Sequence, residues 1–335
     1  MQRHGTNFVL ALPLLLLPAL AAPARAQSAA GWLARETAAD YRAQARYPRS
    51  SRALKPGEAD PIRAKRTPTR QSLPSPDGKG PALSVWASAV SVEPGQPVDL
   101  FAELADKGKR LPVDVLTGEV VDAAGNRVAS FVYRDDGLAP DAKAGDGIYS
   151  ARLTDLPTAP AGRAESYRVQ ARAAFGAHET RDAVGGFLAS NPGARLTGEY
   201  RESLRDGNLV IAAEVLVTQP GRFHLAGTLA TPKGEPIGTA QAAAVLPAGR
   251  QWIELAFFGL MFHDRQVAGP YQLATLALTA ANGMPNAFAG LVENAYRTRP
   301  YRMEEMRSQA FADPRLTDAA ERLEAAARAA EAPQP

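Results

Sequence analysis

The chain has 335 residues, a formal charge of +3, no cysteine and only four histidines. The missing cysteine excludes a disulfide framework and a lipoprotein, whose lipid is attached through Cys; a chain without disulfides must hold itself together by packing. Basic charge is concentrated early: Gln27–Ala82 carries eleven Lys/Arg against five Asp/Glu.

Residues 1–26 read as a secretory signal peptide. Arg3 and His4 precede the apolar run "FVLALPLLLLPALAAPA", and Ala24-Arg25-Ala26 is a small-x-small site, so cleavage is expected after Ala26. Pro13 and Pro18 break the run, which argues against a retained anchor. No transmembrane segment is expected in the mature chain, and its place is the periplasm or the extracellular space.

Residues 27–82 read as a strap. Trp32, Leu33, Tyr41 and Ala45 recur at helical spacing, so a short helix is expected over about Ala29–Ala45, stopped by Pro48. Pro56, Pro61, Pro68, Pro74, Pro76 and Pro81 follow among charged residues, a composition that builds no core of its own. The expectation is an extended arm docked through Trp32, Tyr41 and Tyr47. Its basic run lacks interleaved stacking aromatics, so it fits an acidic body or an anionic envelope surface better than nucleic acid.

From Leu83 the pattern turns to strands. "LSVWASAVSV", "PVDLFAELA", "DVLTGEVVD", "RVASFVYR", "GIYSARLTDL", "AESYRVQARAAF" and "DAVGGFLAS" are about seven short alternating runs separated by Gly, Pro and Asp turns. That is the pattern of an immunoglobulin-like β-sandwich, here over residues 83–191. "NPGAR" reads as a linker. A second set follows over residues 195–298, with "LTGEYRESLRDG", "NLVIAAEVLVT", "GRFHLAGTLAT", "IGTAQAAAVL", "RQWIELAFFGLMF" and "GPYQLATLALTA". Residues 299–335 are rich in Ala, Glu and Arg and are expected to end in a short helix. The fold class is therefore all-β: two tandem immunoglobulin-like sandwiches with an N-terminal strap and a C-terminal helix.

Three readings fit "YRDDGLAPDAKAGDGIYSARL", Tyr133–Leu153. Asp side chains cap amides in tight turns, and Gly137, Gly145 and Gly147 allow positive φ, so the loop reads as a structural turn. Asp135, Asp136, Asp141 and Asp146 also supply hard oxygens for a Ca²⁺ ion, the one cofactor this sequence suggests, although the spacing is not an EF-hand. A carboxylate pair for glycoside hydrolysis is the third reading, without the cleft or aromatics that chemistry needs.

Elsewhere, chemical motifs are absent. There is no G-x-S-x-G, P-loop, G-x-G-x-x-G or S-x-x-K, and no H-x-H or H-x-x-x-H spacing for zinc. His224 in "GRFHLAG" falls on the polar face of a strand. His263 and Asp264 are an acid–base pair adjacent in sequence. "ELAFFGLMFHD" holds more apolar residues than one buried strand face takes. Either it ends in a bulge covered by the strap or the first domain, or Phe257, Phe258, Met261, Phe262, His263 and Asp264 form an exposed edge for a protein partner.

The stretches "DDG…D…AGDGIYS", with its aliphatic-Tyr drop into a strand, and "GPYQLATLAL", opened by Gly-Pro-Tyr, resemble exported bacterial immunoglobulin-like domains. With "YPRSSRAL" and "ADPIRAKR" ahead, the mature chain resembles a family of secreted gamma-proteobacterial proteins of unknown function. Its members carry an N-terminal strap and tandem immunoglobulin-like domains, some of them type II secretion substrates. The resemblance implies no catalytic residues. The expected function is binding to a protein, a glycan or the cell surface; a hydrolase or its accessory subunit, and a structural envelope protein, are the alternatives.

Overall fold

The computed structural model describes residues 29–73 and 79–331. The signal peptide expected over residues 1–26 and the strap prolines Pro74 and Pro76 lie outside them. The chain begins with helix α1 (Ala29–Ala45), strand β1 (Ser51–Ala53), helix α2 (Pro61–Arg66) and strand β2 (Gln71–Leu73). Strands β3 (Ala82–Ala87), β4 (Ser91–Val92), β5 (Val98–Asp106), β6 (Lys109–Arg110), β7 (Val115–Val121), β8 (Arg127–Val132), β9 (Tyr149–Leu153), β10 (Arg163–Phe175) and β11 (Glu179–Asn191) follow. Then come β12 (Ala194–Arg205), β13 (Asn208–Val217), β14 (Gly221–Ala230), β15 (Pro236–Leu246), β16 (Gly249–Phe257), helix α3 (Leu260–Arg265), β17 (Gln272–Ala280), β18 (Ala287–Arg297), a 3₁₀ turn at Met303–Glu305 and helix α4 (Pro314–Glu331).

The protein is mostly β, built from antiparallel sheets that pack into sandwiches. In the first, β2-β3-β5-β6, with β9 also on β5, faces β4-β11-β10-β7-β8. Period-two alternation buries Val98, Leu100, Ala102 and Leu104 from β5 against Tyr167, Val169, Ala171 and Ala173 from β10. The expected strand "LSVWASAVSV" is broken after Ala87. Its first half pairs with β5, while β4 crosses to run parallel to β11 in the facing sheet.

In the second sandwich, β1-β15-β14-β17-β18 faces β12-β13-β16. Phe223, Leu225, Ile211, Leu255 and Leu273 fill the space between the sheets. The β12–β13 hairpin turns on Asp206-Gly207, both at positive φ (50° and 71°), the backbone a two-residue hairpin needs. Strand β18 was not among the sequence-expected strands, which stop at Ala281. Register shifts along β17 let its irregular pattern pair.

Two residues, Pro192 and Gly193, join β11 to β12. Gly193 sits at φ +64°, and a Cβ there would lie 2.6 Å from the Gln219 Cβ, so no other residue fits. Beside this joint the Ser190 hydroxyl accepts the Phe288 amide at 3.1 Å, tying β11 to β18.

The strap is less extended than its prolines suggest. β1 pairs with β15 and β2 with β3, so it lends an edge strand to each sandwich. Trp32 is exposed, whereas Tyr47 is buried and carries the docking. Among the described residues, 29–43 of α1 and 314–331 of α4 form a unit of their own, in which Arg42 makes two bonds to Glu324. Pro314 opens α4, where a missing amide hydrogen costs nothing.

Candidate functional site

The Asp loop lies between β8 and β9. Asp135 takes three amides: Gly145 and Asp146 on one oxygen (2.6 and 3.2 Å) and Gly147 on the other (2.9 Å). Asp141 accepts from Gly137 (2.5 Å) and Lys143 (3.0 Å), and Asp146 from Ile148 (2.8 Å). Oxygens of Asp135, Asp141 and Asp146 come within 4.8 Å of one another. Asp136 stays outside that cluster and caps Leu138 at 3.0 Å. Gly137, Gly145 and Gly147 all adopt positive φ. Arg110 reaches the Asp146 carbonyl at 3.1 Å and lies 3.9 Å from its carboxylate. These bonds are those of a turn that uses its carboxylates to satisfy its own backbone.

Of the two readings of the Phe257–Phe262 run, the burial agrees with the covered one and not with an exposed edge. Strand β16 stops at Phe257, and the chain turns into α3. Phe257, Phe258, Met261 and Phe262 are all buried in the second core, at 0, 5, 0 and 0 % exposure. One strand face cannot bury such a run, but a strand end followed by a helical turn can. The partner of this segment is the chain's own strap. The Ser51 hydroxyl accepts the Phe258 amide at 3.0 Å, and the Tyr47 ring meets Phe258 edge-on at 5.9 Å. Arg265 donates to the Leu54 and Pro236 carbonyls at 2.7 and 3.2 Å and pairs with Glu235.

His263 and Asp264 do not form an acid–base pair. A His263 ring nitrogen contacts the Met306 carbonyl at 3.0 Å. Asp264 accepts from the Tyr47 hydroxyl at 2.6 Å and from Arg46 at 2.9 Å. Burial, and then that carboxylate, push the Tyr47 hydroxyl up from its ordinary pKa.

A different site is built where the strap crosses the outer face of β15, β14 and β17. Asp60 anchors it. One carboxylate oxygen caps Ile62 and Arg63 in α2 and accepts the Thr228 hydroxyl at 2.6 Å; the other accepts the Thr275 hydroxyl at 2.6 Å. Both threonines are fully buried beneath the helix. Arg66 closes the far end of α2. It donates to Thr279 Oγ1 (2.8 Å) and to the carbonyls of Ala289 (3.2 Å) and Leu278 (3.3 Å), and lies 3.7 Å over the Phe288 ring. Burial lowers its pKa to about 10, and no carboxylate pairs with it among the described residues.

Between β1, α2 and the sheet lies a groove of about 590 Å³. Arg49, Arg52, Lys65, Arg66 and His224 line it, and none of its described lining residues is Asp or Glu. Arg49 pairs with Asp313 and Arg52 with Glu58, but both side chains stay half exposed or more. Lys65 is exposed and makes no ion pair with any described residue. His224 is exposed, as its strand register requires, 3.3 Å from Arg222. The strap's basic charge was legible in the sequence. The groove was not, because its two walls are more than 150 residues apart in the chain.

Fold and site together define a tandem β-sandwich protein with a strap folded onto its second sandwich. Residues 193–286 match the family model "Domain of unknown function (DUF4785) C-terminal domain". That span includes Gly269–Tyr271, one of the two stretches that carried the resemblance to a family of unknown function. A solved DUF4785 family protein from Legionella pneumophila is similar at 17 % identity and a TM-score of 0.45, over 67 % of this chain and 57 % of that one. The chain thus spans little more than half of that protein's length. A tetra-tandem repeat from the extending region of a large adhesion protein matches at 13 % identity and a TM-score of 0.26, over 68 % of this chain and 55 % of that one. A DUF3823 family protein from Parabacteroides merdae matches at 13 % identity and a TM-score of 0.22, over 56 % of this chain and 94 % of its own. No curated protein matches.

Proposed function

We propose that the protein is an exported, non-enzymatic binding protein that holds an anionic ligand in the strap groove. The observation that carries this reading is the lining: four Lys/Arg and a histidine converge with no acidic side chain among them. Arg49 and Arg52 already have carboxylate partners, but Lys65 and Arg66 have none among the described residues, so a bound anion adds attraction there. Export rests on the N-terminal apolar run and its small-x-small site. Calorimetric titration of the mature chain with dextran sulfate, and with neutral dextran, tests the reading. Binding of the sulfated polymer is expected, weakening as salt rises and falling at least tenfold in Lys65→Glu. Equal behaviour of the two dextrans would overturn it.

A further inference from the structure

We infer that the ligand of the strap groove is an acidic saccharide, a short run of sugar rings bearing carboxylates. This rests on the groove being an anion site and goes beyond it.

Three features of the lining select among anions. First, neutral hydrogen-bonding groups are interspersed with the cations and are unspent. The side chains of Ser50, Thr239 and Asn286 make no hydrogen bond with any described residue. Such groups donate to and accept from sugar hydroxyls, a task a simple inorganic anion does not need. Second, the half-buried Ile62 and Ala226 give the groove a little apolar surface beside the cations, as small-molecule sites commonly have. Third, the one Phe, Tyr or Trp side chain among the described lining residues is not free to stack. Phe288 has the Arg66 guanidinium 3.7 Å over its ring. Single-stranded nucleic acid is held by successive bases stacking on open aromatic faces, and this groove offers only the His224 imidazole. The volume of about 590 Å³ falls within the usual range for small-molecule sites.

The closing experiment titrates the mature protein with four probes at one ionic strength: penta-galacturonate, maltopentaose, inorganic phosphate and a ten-residue oligothymidylate. Penta-galacturonate is expected to bind at least tenfold tighter than any of the others. Lys65→Glu should abolish that binding. Thr239→Val and Asn286→Ala should each weaken penta-galacturonate several-fold and leave inorganic phosphate binding unchanged; melting temperatures establish that each variant is folded. If dextran sulfate binds but penta-galacturonate binds no better than phosphate, the saccharide inference falls and the anion site stands. Oligothymidylate binding as tightly as penta-galacturonate also overturns the saccharide inference. Failure of every anion, dextran sulfate included, overturns both readings.

Discussion

A single carboxylate can organise a loop or a helix, and two aspartates here do so. Asp135 satisfies three amides across a ten-residue gap. Asp135→Ala leaves the partly buried Asp146 and Gly147 amides unpaired, the Gly145 amide being exposed, so a loss of about 1–3 kcal/mol is expected. A loop that spends these carboxylates on its own amides needs no ion to fold, so the drop in melting temperature should be the same in EDTA and in millimolar Ca²⁺. A wild-type midpoint raised by Ca²⁺ and insensitive to it in Asp135→Ala would make the loop a metal site instead. Asp60 caps α2 and receives two buried hydroxyls. Asp60→Ala should cost about 2–4 kcal/mol, a lost cap plus two unsatisfied threonines. Limited proteolysis should then cut first between Lys55 and Arg70, at sites protected in the wild type.

At the scale of elements, α3 turns an apparent strand into a corner. Its entry is tight: a Cβ on Gly259 would lie 2.2 Å from the Gly207 carbonyl and 2.5 Å from the Arg307 amide. Three backbone segments meet there, with Arg307 donating to Gly207 at 2.9 Å and Gly259 to Asn208 Oδ1 at 3.0 Å. Backbone cannot retreat as a flexible side chain can, so Gly259→Ala should destabilise by about 2–4 kcal/mol, read by urea unfolding. Phe262 packs 4.5 Å from Tyr271, centroid to centroid, deep in the same core. Phe262→Ala should cost about 3–5 kcal/mol, and Phe262→Asp should prevent folding rather than abolish a partner contact.

For the whole molecule, the strap is part of the fold rather than an accessory. It supplies β1 to one sandwich and β2 to the other, and it covers the Phe258–Met261 corner. A chain beginning at Pro81 would expose the β15 edge together with that apolar corner. Unpaired edges recruit other chains, so the truncated protein should bind a hydrophobic dye and elute as aggregates in size-exclusion chromatography.

Much of the fold was legible in the residues. Period-two alternation between Gly, Pro and Asp turns reports which face of each strand is buried, and that is local information. So β5, β7, β10 and β15 stand close to where the pattern places them. The Asp loop was legible as a turn for the same reason, since its Asp and Gly residues act within a dozen positions. The apolar run from Phe257 to Phe262 was read two ways, as covered by the strap or first domain or as an exposed edge, and the residues alone did not choose between them. Hydrophobicity says that a side chain is covered, not by what, and the cover came from Tyr47 and Ser51, some 200 residues earlier. The basic groove was decided at the same level. Charge along the strap is a property of the sequence, but a concave site exists only once α2 is pinned by Thr228 and Thr275 across a sheet whose strands are far apart in the chain.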